Sequence, residues 1–269
     1  MSNDSTGKTL FVAAVLCIVC SIMVSGSAVS LKPRQELNKK LDVKKNLLLA
    51  CNIIQDKKAS RETIERAFAN IETKIIDLET GAINSDINIE TFDQVKASKD
   101  PQMSIAIPAN LDRAKIKRRE KYSKVFFVKH PETKETTLVV LPVYGKGLWS
   151  TLYGFLAISR DTKEIKGLGF YQHGETPGLG GEIENPRWTA LWKNKIPFDE
   201  NFKPIIRVVK GRANPASATI QHEIDGLSGA TITSNGVTGL IQYWLGDHGF
   251  GPYLASLRNQ LEAAGSNEK

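Results

Sequence analysis

Cysteine is scarce: three of 269 residues, Cys17, Cys20 and Cys51. The first two sit inside an apolar run, and the one thiol left beyond it makes no internal disulfide and no cysteine-held zinc or iron–sulfur centre. Histidine is nearly as rare, with four in the chain, so no imidazole ligand cluster is legible. No G-x-G-x-x-G follows a strand pattern and no glycine-rich loop ends in Gly-Lys-Ser/Thr, so a freely exchanging dinucleotide lacks its signature. Ser228 lacks the G-x-S-x-G turn of a hydrolase nucleophile. Internal repeats and low-complexity stretches are missing as well.

Long apolar runs are also few, and the single one is informative. Leu10 to Val29 holds no charge over 20 residues, enough to span a bilayer as a helix. It is longer than a usual signal-peptide core, although Gly26-Ser27-Ala28 has the small residues of a cleavage site. Beyond it, 41% hydrophobic and 24% charged residues give an ordinary globular balance. Lys8 alone precedes the span, whereas Lys32, Arg34, Lys39, Lys40, Lys44 and Lys45 follow it, a bias that favours a cytoplasmic domain. Large domains, however, translocate largely regardless of charge. The net charge of +7 gathers partly at Lys115, Lys117, Arg118, Arg119, Lys121 and Lys124. No aromatic interleaving accompanies that cluster, so anionic lipid or an acidic partner protein fits it better than nucleic acid.

Periodicity orders the rest as an α+β chain. Leu37, Leu41, Leu48 and Cys51 are spaced for a helical stalk after the span. Ser60 is placed to cap a second helix carrying Ile64, Ala67, Phe68, Ile71, Ile75 and Leu78 on one face. Gly81 to Arg119 mixes turn formers with short apolar pieces and fixes no element. Strands are expected at 125–128, 137–143, 153–158, 165–171 and 205–209, with a hairpin turn at Arg160-Asp161-Thr162-Lys163. Together they predict a soluble domain of mainly antiparallel sheet packed by helices. Pro186 to Trp192 reads as a short helix. The resulting division is a short N-terminus (1–9), a transmembrane helix (10–29), a stalk and mixed segment (30–124), a ligand-binding domain (125–255) and a tail (256–269).

The most specific stretch is Asp225-Gly226-Leu227-Ser228-Gly229-Ala230-Thr231-Ile232-Thr233-Ser234. A small-residue loop here runs into a helix whose Val237, Leu240, Ile241, Trp244 and Leu245 form one face, stopped by Gly246. Thr233 or Ser234 is placed as N-cap, so bare backbone N–H groups and the positive end of the helix dipole face whatever lies beside Thr233. Phosphate is the usual occupant of such a place; on spacing alone, small and hydroxyl residues before an apolar helix read equally as a plain capped turn.

Ser228-Gly229-Ala230-Thr231-Ile232-Thr233 resembles the S-G-A-T-x-T flavinylation motif of the FMN-binding domain family, shared by the C subunit of the Na⁺-translocating NADH:quinone reductase and the G subunit of Rnf complexes. The resemblance implies FMN held covalently through a phosphoester on Thr233, attached by a flavin transferase with FAD as donor. Thr231 is the rival hydroxyl. Gly145-Lys146-Gly147-Leu148-Trp149 and Glu175-Thr176-Pro177-Gly178-Leu179-Gly180 are similar to the family's G-x-G-L-W and E-T-P-G-L-G loops, which lie around the flavin ring. By that likeness Trp149 and Leu179 offer apolar faces, while Glu175, Thr176 and the Gly178 loop offer polar contacts to the ring edge. Read without it, Trp149 is a core residue and the glycine run a plain loop. Lys210 and Arg212 are candidates to neutralise a phosphate. The family further implies an electron carrier without a catalytic residue or metal of its own, other subunits of a membrane complex as partners, and a periplasmic domain on a bacterial inner membrane. The Rnf-type G subunit and a non-redox, membrane-anchored ligand-binding module are the alternatives.

Overall fold

A computed structural model describes residues 5–266, in two units divided between Val43 and Lys44. Residues 1–4 of the expected N-terminus and 267–269 of the expected tail lie outside the described residues. The first unit is helix alone. Helix α1 covers Thr6–Ala50, and Leu10, Phe11, Leu16, Ile22 and Val29 along it are exposed. Among the described residues it is the one helix long and apolar enough to cross a membrane. Its last residues, from Lys44, belong to the second unit, where Leu47 and Leu48 are fully buried.

The second unit begins as the capping pattern predicts. Ser60 accepts a hydrogen bond from the Thr63 N–H at 3.2 Å and opens α2, Arg61–Phe68. Ile71, Ile75 and Leu78, expected on the same helical stripe, instead belong to and follow strand β1, Ile71–Asp77. Ile75 and Ile76 are both buried, at 1% and 0% exposure, and neighbouring side chains reach two different cores only from a strand. The β-branched run Ile71, Thr73, Ile75, Ile76 favours the same outcome.

The segment whose composition fixes no element holds β2 (Ile83–Asn84), α3 (Gln94–Lys99), β3 (Ser104–Ala106) and β4 (Arg118–Glu120). The expected strands then follow with longer bounds: β5 (Tyr122–Lys129), β6 (Thr136–Lys146), β7 (Thr151–Ser159) and β8 (Ile165–Gln172). Next come α4 (Pro186–Thr189), the short parallel pair β9 (Arg207–Val208) and β10 (Glu223–Ile224), α5 (Thr231–Leu245) and α6 (Gly251–Ser266). Helix α6 runs through the residues expected as a tail: Leu257 packs against the core and the Arg258 guanidinium lies 3.9 Å over the Phe202 ring.

The six-stranded sheet has the order β2-β1-β5-β6-β7-β8, antiparallel throughout. Its register explains why both faces are buried. Phe127, Val139, Ile158 and Ile165 align across four strands on the face of the main core, which Val237, Leu240, Ile241 and Trp244 of α5 complete. One residue along, Phe126, Val140, Ala157 and Gly167 align on the opposite face. Gly167 is bare for a reason: a Cβ there would meet the Ala50 carbonyl oxygen at 1.9 Å. The end of α1 therefore seats on β8. On the main face α5 comes equally close to β6, since a Cβ at Gly236 would meet the Lys146 carbonyl oxygen at 2.4 Å. That approach brings the start of α5 to the β6–β7 hairpin loop.

Candidate functional site

Helix α5 starts earlier than the sequence suggests. Ala230 is its N-cap, with no side-chain capping bond, so Thr233 stands in the first turn rather than at the cap. Ser234, the other expected cap, is employed differently: its hydroxyl accepts the Leu227 N–H at 3.1 Å and ties the incoming loop to the helix. Gly229, with φ of +69°, turns the chain into the helix ahead of it. Thr233 is buried at 1% exposure, whereas Ser228, Gly229 and Thr231 are exposed.

Buried, the Thr233 hydroxyl has one partner. It donates to Oε2 of Glu175 at 2.6 Å, and Glu175 is itself only 5% exposed. The β6–β7 hairpin loop supplies the carboxylate's other donors. Trp149 N–H and Ser150 N–H reach Oε1 at 2.9 and 3.1 Å, the Ser150 hydroxyl reaches it at 3.3 Å, and Leu148 N–H reaches Oε2 at 3.2 Å. Burial pushes the Glu175 carboxyl up, but the hydrogen bonds from Thr233, Trp149, Leu148 and Ser150 outweigh it and hold the group below the ordinary glutamate range. An ionised carboxylate thus rests against the hydroxyl.

Two glycines make room for this pair. A Cβ at Gly180 would sit 2.7 Å from Thr233 Oγ1 and 2.8 Å from Glu175 Oε2; one at Gly147 would sit 2.7 Å from Glu175 Oε1. Neither has a left-handed backbone, so it is contact alone that opposes a side chain there, which would have to displace the pair. Ser150, which no sequence motif singles out, joins the two loops by also accepting the Gly174 N–H at 2.7 Å. Its position directly after Trp149 is the only local signal for that role.

Around the buried pair the surface is apolar. Trp149 is 71% exposed, and Leu148, Leu179 and Ile232 are exposed as well. All four lie on the segments that converge on Glu175 and Thr233, and Leu179 closes over Gly229, whose added Cβ would meet its Cδ2 at 2.9 Å. Trp149 is therefore no core residue. Thr176 and Gly178 belong to a tight exposed turn in which the Thr176 carbonyl accepts the N–H groups of Leu179 and Gly181. Beside the motif an open cleft of about 290 Å³ is lined by Glu182, Trp188, Leu191, Gly226 and Ser228, among others. Lys210 and Arg212 are exposed on a loop whose Gly211 carbonyl accepts the Gly226 N–H, which places them beside the loop into α5 rather than at Thr233. His173 Nδ1 accepts the Glu175 N–H at 3.1 Å, a structural use of that ring. Among the described residues no cluster of His, Cys, Asp or Glu is arranged to hold a metal ion.

A helix long and apolar enough to cross a membrane, followed by an antiparallel sheet domain in which a buried hydroxyl lies beneath exposed apolar side chains, places the chain in the α+β class with a candidate ligand site. The FMN-binding domain family matches residues 147–246, which contain both loops and the helix start. The C subunit of the Na⁺-translocating NADH-quinone reductase of Pseudomonas aeruginosa is 44% identical over 257 residues, 96% of this chain and 98% of that one. The corresponding C subunit of Vibrio anguillarum is 46% identical over 259 residues, 96% and 97% of the two chains. The crystal structure of Shewanella oneidensis NqrC, 36% identical, covers 82% of this chain and 99% of that one with a TM-score of 0.74. This chain belongs to the family of C subunits of the Na⁺-translocating NADH-quinone reductases.

Proposed function

We propose that this chain is the membrane-anchored electron-transfer subunit of a sodium-pumping NADH:quinone reductase, carrying FMN on Thr233 through a phosphoester. The observation that carries the reading is the Thr233 hydroxyl held against the Glu175 carboxylate at 2.6 Å, inside the matched FMN-binding segment. Thr231 is more exposed, but Thr233 is the hydroxyl presented to an ionised group.

The residues present fit the cofactor. The α5 N-terminus and the bare backbone of Ser228, Gly229 and Ala230 suit a phosphodiester. Trp149, Leu148, Leu179 and Ile232 would cover ring faces, with Thr176 and the Gly178 turn toward its edge. Bound FMN supplies reversible electron transfer, and the protein's part is to fix its position and environment. The partners on this reading are the other subunits of the complex, the membrane, and a flavin transferase using FAD during maturation. The domain lies on the periplasmic side of a bacterial inner membrane, which a reporter fused at the C-terminus reads by its activity on either side. Identities of 44% and 46% over nearly the whole chain favour the reductase over an Rnf-type G subunit. A non-redox module would purify colourless.

The test is in-gel fluorescence after denaturation, with the chain produced beside an active flavin transferase. A fluorescent band in wild type and in Thr231→Ala, absent in Thr233→Ala, is expected. A dark wild-type band, with the transferase active on another acceptor, overturns the reading.

A further inference from the structure

Every donor around Glu175 Oε1 and Oε2 comes from the 148–150 loop except one, and that one is the hydroxyl to be modified. Resting on the function proposed above, we infer that Glu175 is a catalytic residue of the chain's own maturation: the general base that takes the Thr233 proton as the phosphoester forms. The acceptor thereby supplies part of the machinery that modifies it.

The step balances as a phosphoryl-group transfer without redox change. Thr233 Oγ1 bonds to the phosphorus on the riboflavin side of FAD, the pyrophosphate P–O bond breaks, AMP leaves, and the hydroxyl proton passes to Glu175 Oε2. The geometry is that of a base within direct hydrogen-bond reach of the proton it abstracts, 2.6 Å from donor oxygen to acceptor. The backbone N–H groups of Leu148, Trp149 and Ser150 orient the carboxylate, and neither they nor Gly147 and Gly180 can titrate. The proton also has a use afterwards. A phosphodiester anion on Oγ1 beside an ionised Glu175 would be repelled, whereas the protonated carboxyl tolerates it. The buried Thr233 hydroxyl is the threonine of the motif that donates to this carboxylate, while Thr231 stands exposed, which accounts for selection of the buried residue.

The experiment follows covalent flavin against time, using the full chain in detergent with transferase and FAD, for wild type, Glu175→Gln and Glu175→Asp. Glu175→Gln keeps the shape and removes the base; its initial rate is expected to fall about 10²–10⁴-fold, the range typical of general-base loss. Glu175→Asp, with chemistry kept and reach shortened, is expected between the two, a graded rescue that packing alone does not produce. Labelling of folded Glu175→Gln at the wild-type rate overturns the inference and leaves the proposed function standing. A wild-type chain that never labels overturns both. If Glu175→Gln does not fold, the Glu175 carboxyl is titrated by ¹³C NMR in wild type and Thr233→Ala. Loss of the hydroxyl is expected to raise its midpoint; an unchanged titration shows that the two groups are not in contact and overturns the inference.

Discussion

A glycine can be required at a position where its backbone is ordinary. Gly180 has no left-handed φ, yet an added methyl would stand 2.7 Å from the Thr233 oxygen and 2.8 Å from Glu175, closer than side chains approach. Gly180→Ala must therefore part the pair, at a cost of about 1–3 kcal/mol for overpacking. We expect the variant to melt lower than wild type and to lose covalent flavin by more than tenfold. A variant labelled normally would show that the pair tolerates separation. The sequence displays Gly178, Gly180 and Gly181 as one glycine-rich loop and does not reveal that Gly180 alone lies against Thr233. Contact across 58 residues of chain, Glu175 to Thr233, is invisible to any local pattern. The choice between Thr233 and Thr231 comes from resemblance, and the geometry adds a physical reason for it.

At the scale of elements, β4 places an unusual group in the interior of the sheet domain. Glu120 is fully buried, accepting the Tyr144 hydroxyl at 2.6 Å and Gln94 Nε2 at 2.5 Å. Burial pushes its carboxyl up to about 7, and the bonds from Tyr144 and Gln94 and the charge of Arg119 offset only part of that. Below the ordinary glutamate range both folded and unfolded chains hold the proton, and Glu120 contributes nothing. As pH rises from there to about 7 the unfolded chain releases it while the folded one does not, so stability falls, then levels off. The total is roughly 3 kcal/mol. Glu120→Gln should be equally stable at pH 4 and more stable than wild type at pH 8 by up to that amount, read by denaturant melts at both values. A constant difference at all pH values would contradict the assignment. The neighbouring β1 shows why a strand can pass for a helix in the sequence: Ile71, Ile75 and Leu78 satisfy a helical stripe, but a sheet buried on both faces accepts consecutive apolar residues such as Ile75 and Ile76, and only the pairing with β5 reveals such a sheet.

For the molecule as a whole, the division between Val43 and Lys44 separates a lipid-compatible helix from a domain with its own two-sided core. A chain shortened to begin shortly before Lys44 should be soluble without detergent, fold cooperatively and still accept flavin, because Leu47, Leu48 and Ala50 remain to cover β8. The full chain should stay in the membrane fraction through alkaline extraction. A shortened chain that precipitates or fails to label would show that the helix is needed for more than anchoring.

The sequence by itself determined the elements whose signals are local: the apolar run of α1, the Ser60 cap, the apolar β-branched and aromatic runs of β5 to β8, and the small-residue loop running into α5. It determined the family as well, since three short motifs survive intact. Only the tertiary structure decided which residues of those motifs meet. Antiparallel pairing puts the 147–150 loop at one end of the sheet, the chain leaving β8 carries Glu175 to the same end, and Gly236 lets α5 approach closely enough for Thr233 to reach the carboxylate. Whether a glycine is a turn or a space, and whether a threonine is a cap or an acceptor, depends on atoms brought from elsewhere in the chain, and folding alone supplies those.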